Sequence, residues 1–242
     1  MSTIDDLRTS DNLSTTRRWK FQKLDIAFLL FGATITLLIW AISPDVAERL
    51  TLEDGFIENV TSVFYLLAIL LGTFVLIRQN PKHKRYVVLW IALSFLFFGE
   101  EISWGQRIFG FATPDSLSSN VQGEANIHNL PFLTPRIVDN PTDLITSQGL
   151  FYIGFLFYFL VAQVLMRLPL FRRLAEGLNW PHLSLATLAA IWIPVFLSFA
   201  LAIVTAFGPT REALTETREL QFAASIFLYV AVITQITDSN ED

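Results

Sequence analysis

The sequence predicts an all-α integral membrane bundle of about six transmembrane helices, and three observations predict it. Hydrophobic residues make up 52% of the 242 residues and charged residues only 16%, where a soluble domain carries about 25% charged residues. Mean hydropathy is +0.48. Apolar runs of span length recur along the chain, separated by segments rich in proline, glycine or basic residues. The net charge of −5 gives no basis for nucleic-acid binding. The lack of cysteine excludes disulfides, thiolate metal ligands and a cysteine nucleophile.

Residues 1–23 read as a mobile cytoplasmic tail, rich in Ser, Thr and Asp, that ends in the basic cluster Arg17, Arg18, Lys20 and Lys23. Trp19 is placed as an interfacial aromatic. The first apolar run is of full span length behind this polar tail, which predicts a retained helix rather than a cleaved signal peptide. The membrane domain covers residues 24–236. Its first span is predicted over 24–42, stopped by Ser43-Pro44. An acidic segment, 45–55, leads to the second span at 56–77. A basic turn at 78–85, with Pro81, leads to the third at 86–111. The connection 112–147 holds four prolines. It is too polar to span, and loops of that length are more often functional than idle. The fourth span is predicted over 148–168, followed by a basic loop at 169–181 with Arg172 and Arg173. The fifth covers 183–207, with Pro194 expected to kink it. The sixth covers 218–236, and 237–242 form an acidic tail. The two halves do not resemble each other, as an inverted-repeat transporter would require.

Orientation follows from Lys and Arg alone. With both termini cytoplasmic, the inner segments carry Arg8, Arg17, Arg18, Lys20, Lys23, Arg78, Lys82, Lys84, Arg85, Arg167, Arg172 and Arg173, twelve of the 17 basic residues. The outer segments carry Arg49, Arg107, Arg136, Arg211 and Arg218.

Glu100 and Glu101 interrupt the third span. The apolar run before them is 14 residues, about 21 Å of helix against a hydrocarbon core of about 30 Å. The predicted span therefore continues through both carboxylates, which places them at membrane depth, where an ionisable side chain marks a functional site. The same face collects Glu53, Asp54 and Glu58 before the second span and Glu124 and His128 in the long connection. Glu212, Glu216 and Glu219 lead into the sixth span on that face as well. Glu58, Thr61, Ser62 and Tyr65 share one helical stripe. Glu212 and Glu216 also fit a solvated helix start favoured by the macrodipole. Arg107, Arg136 and His128 are the available counter-charges.

Three chemistries suit this set. The first is a metal centre, with zinc, manganese or iron as candidates: Glu100 or Glu101, His128, and one of Glu58 or Glu219 supply three ligands, and the spare carboxylate is the base on bound water. The second is metal-free acid–base work by Glu100, Glu101 and His128, with Arg107 orienting a carboxylate or binding an anionic head group. The third is an ion-pair network that only locks the helices. The expected surroundings are membrane lipids, and the expected substrate of a hydrolase or transferase here is a lipid-linked or membrane-embedded molecule. A proton- or cation-coupled transporter and a non-catalytic membrane subunit use the same residues. Oligomeric state leaves no mark in the sequence.

Two segments, Gly99-Glu-Glu-Ile-Ser-Trp-Gly-Gln-Arg107 and Gln122-Gly-Glu-Ala-Asn-Ile-His-Asn-Leu130, resemble the signatures of a family of uncharacterised bacterial multi-pass membrane proteins. Glu53-Asp-Gly-Phe-Ile-Glu58 resembles that family as well, so the likeness covers most of the chain from Glu53 onward. It implies a multi-pass fold in a bacterial inner membrane and carries no activity with it. Glu100-Glu101 is also similar to the Glu-Glu-x-x-x-Arg hallmark of the CAAX-protease-like intramembrane enzymes. Here Gly105 stands at the arginine position and Arg107 follows two residues later. His128 matches one of that family's later histidine motifs, and its Phe-x-x-x-His motif is absent. That likeness implies an analogy of chemistry, in which paired glutamates and a histidine work at membrane depth.

Overall fold

The structure is a computed structural model that describes residues 4–51, 55–120, 123–131, 146–206 and 208–235. Every regular element among them is helical. The elements are α1 (Ile4–Ala41), α2 (Pro44–Thr51), α3 (Phe56–Arg78), α4 (Lys84–Glu101) and the short α5 (Gln106–Phe109). α6 (Ser147–Leu156) runs through a π-helical turn, Phe157–Ala162, into α7 (Gln163–Leu165). α8 (Arg172–Leu178), α9 (Leu185–Val204) and α10 (Pro209–Gln235) complete the chain.

Three stretches are long and apolar enough to cross a membrane: Lys23–Ala41 within α1, Pro44–Arg78, and Leu185–Val204. Gly149–Leu165 with Pro169–Leu178 adds a fourth if that pair, bent by 98°, counts as one span. α1 starts at Ile4, so helical backbone already runs through the segment expected to be a tail. The expected basic loop at 169–181 contains α8. The third predicted span is the clearest departure. It does not reach residue 111, because α4 ends at Glu101. Glu53, Asp54, Arg136 and the acidic tail at 237–242 lie outside the described residues.

The core is built around α10. It packs against α1, α2, α3, α4 and α9, and almost every side chain from Ala213 to Thr234 is buried. A helix covered on all sides has no lipid-facing stripe to keep apolar. This explains how α10 carries Thr217, Arg218, Gln221, Ser225 and Thr234 in the interior. Gln221 shows their use: its Nε2 donates to Thr36 Oγ1 (2.5 Å) and to the Gly32 carbonyl (3.3 Å) of α1. Such bonds select helix partners where apolar area alone does not distinguish protein from lipid. Arg218 is 6% exposed. Its guanidinium donates to Thr215 Oγ1 (2.7 Å) and lies 4.5 Å from the centre of the Phe199 ring.

α1 and α9 meet closely at Gly32. A Cβ there would sit 2.7 Å from Pro194 Cβ and 2.8 Å from its Cγ. α6 attaches differently. Large rings link it to the core, with Phe155 4.4 Å from Phe222 and Phe151 5.0 Å from Phe97, centre to centre. The π-helical turn that follows presents the Phe159 carbonyl to Trp192 Nε1 (3.1 Å) on α9.

At the end of the bundle away from Glu100, the turn before α4 is tied to the segment after α8. His83 Nδ1 lies 3.0 Å from the Asn179 carbonyl, Asn179 Nδ2 donates to Lys82 O (2.8 Å), and Tyr86 Oη donates to Leu178 O (3.1 Å). Burial pushes the His83 imidazole below its ordinary value of 6.5; the Asn179 contact opposes that shift, and Lys82 and His182 add to it.

Two outcomes follow from this packing. Gly32→Val forces α1 away from the Pro194 ring and lowers stability by about 1–3 kcal/mol, measured by denaturant unfolding in detergent. Because the folded protein prefers neutral His83, its stabilising effect is full above the unfolded value and declines as pH falls below about 6.5. The unfolding midpoint therefore drops between pH 7 and pH 5, and a thermal series shows a smaller drop in His83→Gln.

Candidate functional site

The sequence motif Gly-Glu-Glu-Ile-Ser-Trp-Gly builds a sharp reversal, not a continued helix. After Glu101 the backbone turns through Ser103 (φ 47°), Trp104 (φ 52°) and Gly105 (φ 83°), all in the left-handed region. For the two non-glycine residues this costs roughly 1–2 kcal/mol each. The turn folds the Trp104 ring back over Gly99, where a Cβ would meet ring carbons at 2.9 Å. It also brings Trp104 Nε1 to Glu100 Oε1 at 2.7 Å. Residues 100 and 104 are neighbours by i, i+4 spacing on a continuous helix; here a bend brings them together.

Glu100 is the anchor of the long connection. Its Oε2 accepts from Ile127 N–H (2.7 Å) and His128 N–H (3.0 Å), and His128 Nδ1 lies 3.3 Å away. With a carboxylate as acceptor, the imidazole carries its proton on Nδ1. The rest of the two signatures pair in the same manner. Ser103 Oγ donates to Glu124 Oε2 (2.8 Å), as does Asn126 Nδ2 (2.6 Å). Ala125 N–H donates to Gln106 Oε1 (2.5 Å), and Gln106 Nε2 donates to Thr113 Oγ1 (3.0 Å). Asn120 Nδ2 closes the set on Asn126 O and Oδ1, both at 2.8 Å. The residues quoted from 99–107 and from 123–128 are complementary halves of one clasp.

Beneath the clasp lies a groove of about 610 Å³ between α4 and α6. One wall comes from α4, with Leu89, Trp90, Leu93, Leu96 and Phe97; the other comes from α6 and the π-helical turn. Ile226 of α10 and Tyr65 of α3 line it from the core side, and Tyr158, hydrogen-bonded to Tyr229 at 2.6 Å, lines it deeper along. Leu89, Leu96, Leu150 and Phe157 on its lips are exposed, so the groove opens sideways from the bundle. Its carboxylates and its one histidine gather at one end: Glu100, Glu101, His128 and Glu219. Glu101 and Glu219 both lie within electrostatic reach of the Tyr65 hydroxyl.

Of the residues singled out from sequence, the structure therefore brings Glu100, Glu101, His128 and Glu219 to one cavity. Glu58 is not among its lining residues. It sits two turns before Tyr65 on α3, about 10 Å along the axis, although Thr61, Ser62 and Tyr65 of its stripe are buried as the spacing predicts. Among the described residues, no three His, Cys, Asp or Glu side chains could hold a metal ion together. The candidate ligands Glu58, Glu101, His128 and Glu219 are thus not assembled into a metal-holding group, and the His128 ring is held by Glu100. Glu212 is exposed in the first turn of α10, as a solvated helix start requires. Arg107 belongs to α5 in the clasp, and its side chain lies outside the described part. The sequence reading missed Ser103, Gln106, Asn120 and Asn126. For Ser103, Gln106 and Asn126 the signal is the density of polar residues inside the two signatures; Asn120 lies just before the second.

Comparison with protein-family models, with curated proteins and with solved structures finds no match for this chain.

Removing the anchor tests the clasp. Glu100→Ala leaves the Ile127, His128 and Trp104 donors unpaired and lowers stability by about 2–4 kcal/mol. Amide exchange at Ile127 and His128 accelerates in the same variant. Glu212→Ala, at the exposed start of α10, changes stability by less than about 0.5 kcal/mol.

Proposed function

We propose that this chain is a six-span protein of the cell membrane, with α4 and α10 as the two further spans and both termini cytoplasmic. Its groove takes a lipid or lipid-linked molecule, and it acts on that molecule as a hydrolase or transferase. The observation that carries the reading is the polarity of the groove: mostly apolar along α4 and α6, open on the side that faces lipid, with carboxylates and a histidine only at the clasp end. A cavity of this kind matches an amphiphile, with its chain along the walls and its polar group at Glu101, Glu219 and His128. From Glu100 to Leu89 the wall is about 16 Å long, enough for one alkyl chain. The lateral opening lets such a molecule enter from the bilayer without crossing water.

The chemistry assigned to the polar end is acid–base. Glu100 keeps the His128 proton on Nδ1 and fixes the ring, which leaves Nε2 as the nitrogen that takes a proton from an attacking water or hydroxyl. Glu101 faces the same space and, as the protonated acid, gives its proton to the leaving oxygen as that bond breaks; the proton on His128 Nε2 then returns it to the acid form through water. Arg107 is the counter-charge assigned to an anionic head group. Glu100 is a positioning residue in this scheme, and Glu101 and His128 are the catalytic ones.

The test uses the full chain in nanodiscs with phospholipids carrying a fluorescent acyl chain, and mass spectrometry to detect head-group release or transfer. Turnover is expected in the native protein and falls at least about 100-fold in Glu101→Gln and in His128→Ala. It is unchanged in Glu212→Gln. Turnover insensitive to both substitutions overturns the reading. So does proton or cation flux into proteoliposomes that is lost in Glu101→Gln without any lipid product, which assigns the carboxylates to transport.

A further inference from the structure

We infer a second ligand site, at the opposite end of the bundle from the clasp, that binds the phosphate-bearing head group of an anionic membrane lipid. It is a cavity of about 550 Å³ in the elbow between α7 and α8, lined by Arg167, Arg172, Glu176, Trp180 and His182 among others. The 98° bend between Gly149–Leu165 and Pro169–Leu178 turns α8 across the direction of the preceding helices. A helix set at that angle to a membrane span lies along the membrane surface, at the level of lipid head groups.

The charges in the elbow are arranged for an anion. Arg167 is fixed by two neutral acceptors, the Gln163 carbonyl (2.6 Å) and the Leu183 carbonyl. Gln163, fully buried, is itself pinned, with Leu183 N–H donating to its Oε1 (3.1 Å) and its Nε2 donating to Pro181 O (3.3 Å). Among the described residues no carboxylate pairs with Arg167, so its charge is oriented but not neutralised. His182 stands within electrostatic reach of the same guanidinium. The acid in the lining, Glu176, is taken by Arg172 at 2.9 Å. A preorganised guanidinium with N–H groups to spare suits the tetrahedral oxygens of a phosphate.

The surroundings point to a lipid as the carrier of that phosphate. Leu168, Leu170 and Leu174 are exposed by 43%, 85% and 48% on the same elbow. Trp180 closes the cavity from within, its ring packed against Tyr86 and Tyr158. Apolar side chains beside a basic hollow at the interface match a molecule that brings acyl chains with its phosphate. The basic residues here also belong to the segments that the Lys and Arg distribution assigns to the cytoplasmic side, where anionic lipids concentrate.

The experiment compares lipid retention by the purified full chain in detergent, by native mass spectrometry, with phosphatidylglycerol, phosphatidylcholine and inorganic phosphate as separate probes. Phosphatidylglycerol is expected to be retained at least about fivefold over phosphatidylcholine, and to lose about fivefold in Arg167→Gln and in Arg172→Gln. Arg172→Gln leaves the Gln163–Leu183 bonds intact, so it answers the question if Arg167→Gln fails to fold. Arg85→Gln, outside the cavity, is expected to bind as the native chain does. Equal retention of the two lipids, or retention unaffected by Arg172→Gln, overturns the inference. Displacement of the lipid by millimolar inorganic phosphate also overturns it, because the site then reads a free phosphate.

Discussion

The Glu100 carboxylate is the point on which the site depends. It stands at the end of an apolar helix, where an ionised group needs either water or a full set of donors. The chain supplies the donors. One oxygen takes the Trp104 indole, and the other takes two successive backbone N–H groups from a segment 27 residues away. Those bonds dictate that the helix stop, that Ser103 and Trp104 adopt an unfavourable backbone, and that the long connection return over α4. The His128 ring is set above the groove by the same contact. Backbone strain held in place by many hydrogen bonds is typical of segments retained for a purpose other than stability.

The clasp also divides labour between two adjacent and chemically identical residues. Glu100 faces the connection and is used up in holding it. Glu101 lines the cavity, near Tyr65 and Glu219. A single carboxylate could not do both, since a group bonded to four donors has little capacity left for a ligand. The doubled glutamate thus serves two neighbouring places: Glu100 closes the roof, and Glu101 joins it in lining the room beneath.

Much of the helical plan was legible because lipid-facing helices must be continuously apolar. The limits of α3 and α9 fall close to the expected ones for that reason. α4 and α10 were harder to read as elements, since their charged ends serve the interior of the bundle and the clasp. The bend after Glu101 was not legible. Helical spacing places residue 104 beside residue 100 whether or not the chain turns, and only the ring of Trp104 against Gly99 decides the matter. Convergence of Glu100, Glu101, His128 and Glu219 was legible from topology, because all four fall at one end of their segments. The metal group does not form among the described residues, although Glu101, His128 and Glu219 line one cavity, because sharing an end of the bundle does not bring side chains to one point. Arg218 was read as an outer-face cation and lies in the core. Nothing in its neighbours' composition signals that the Phe199 ring and three hydroxyl-bearing side chains would surround it.

The enclosure of α10 has a bearing on how this bundle is made. Translation releases α1, α3, α4 and α9 before it, yet each of these rests on α10. Until it emerges, the earlier helices have no common partner, and Thr36 and the Gly32 carbonyl on α1 lack their Gln221 donor. The Arg218 region is itself a poor candidate for spontaneous entry into hydrocarbon and gains shelter only from a cage already standing. Closure of the bundle therefore waits on residues 209–235, and a chain stopped before residue 209 would lack the common partner of α1, α3, α4 and α9.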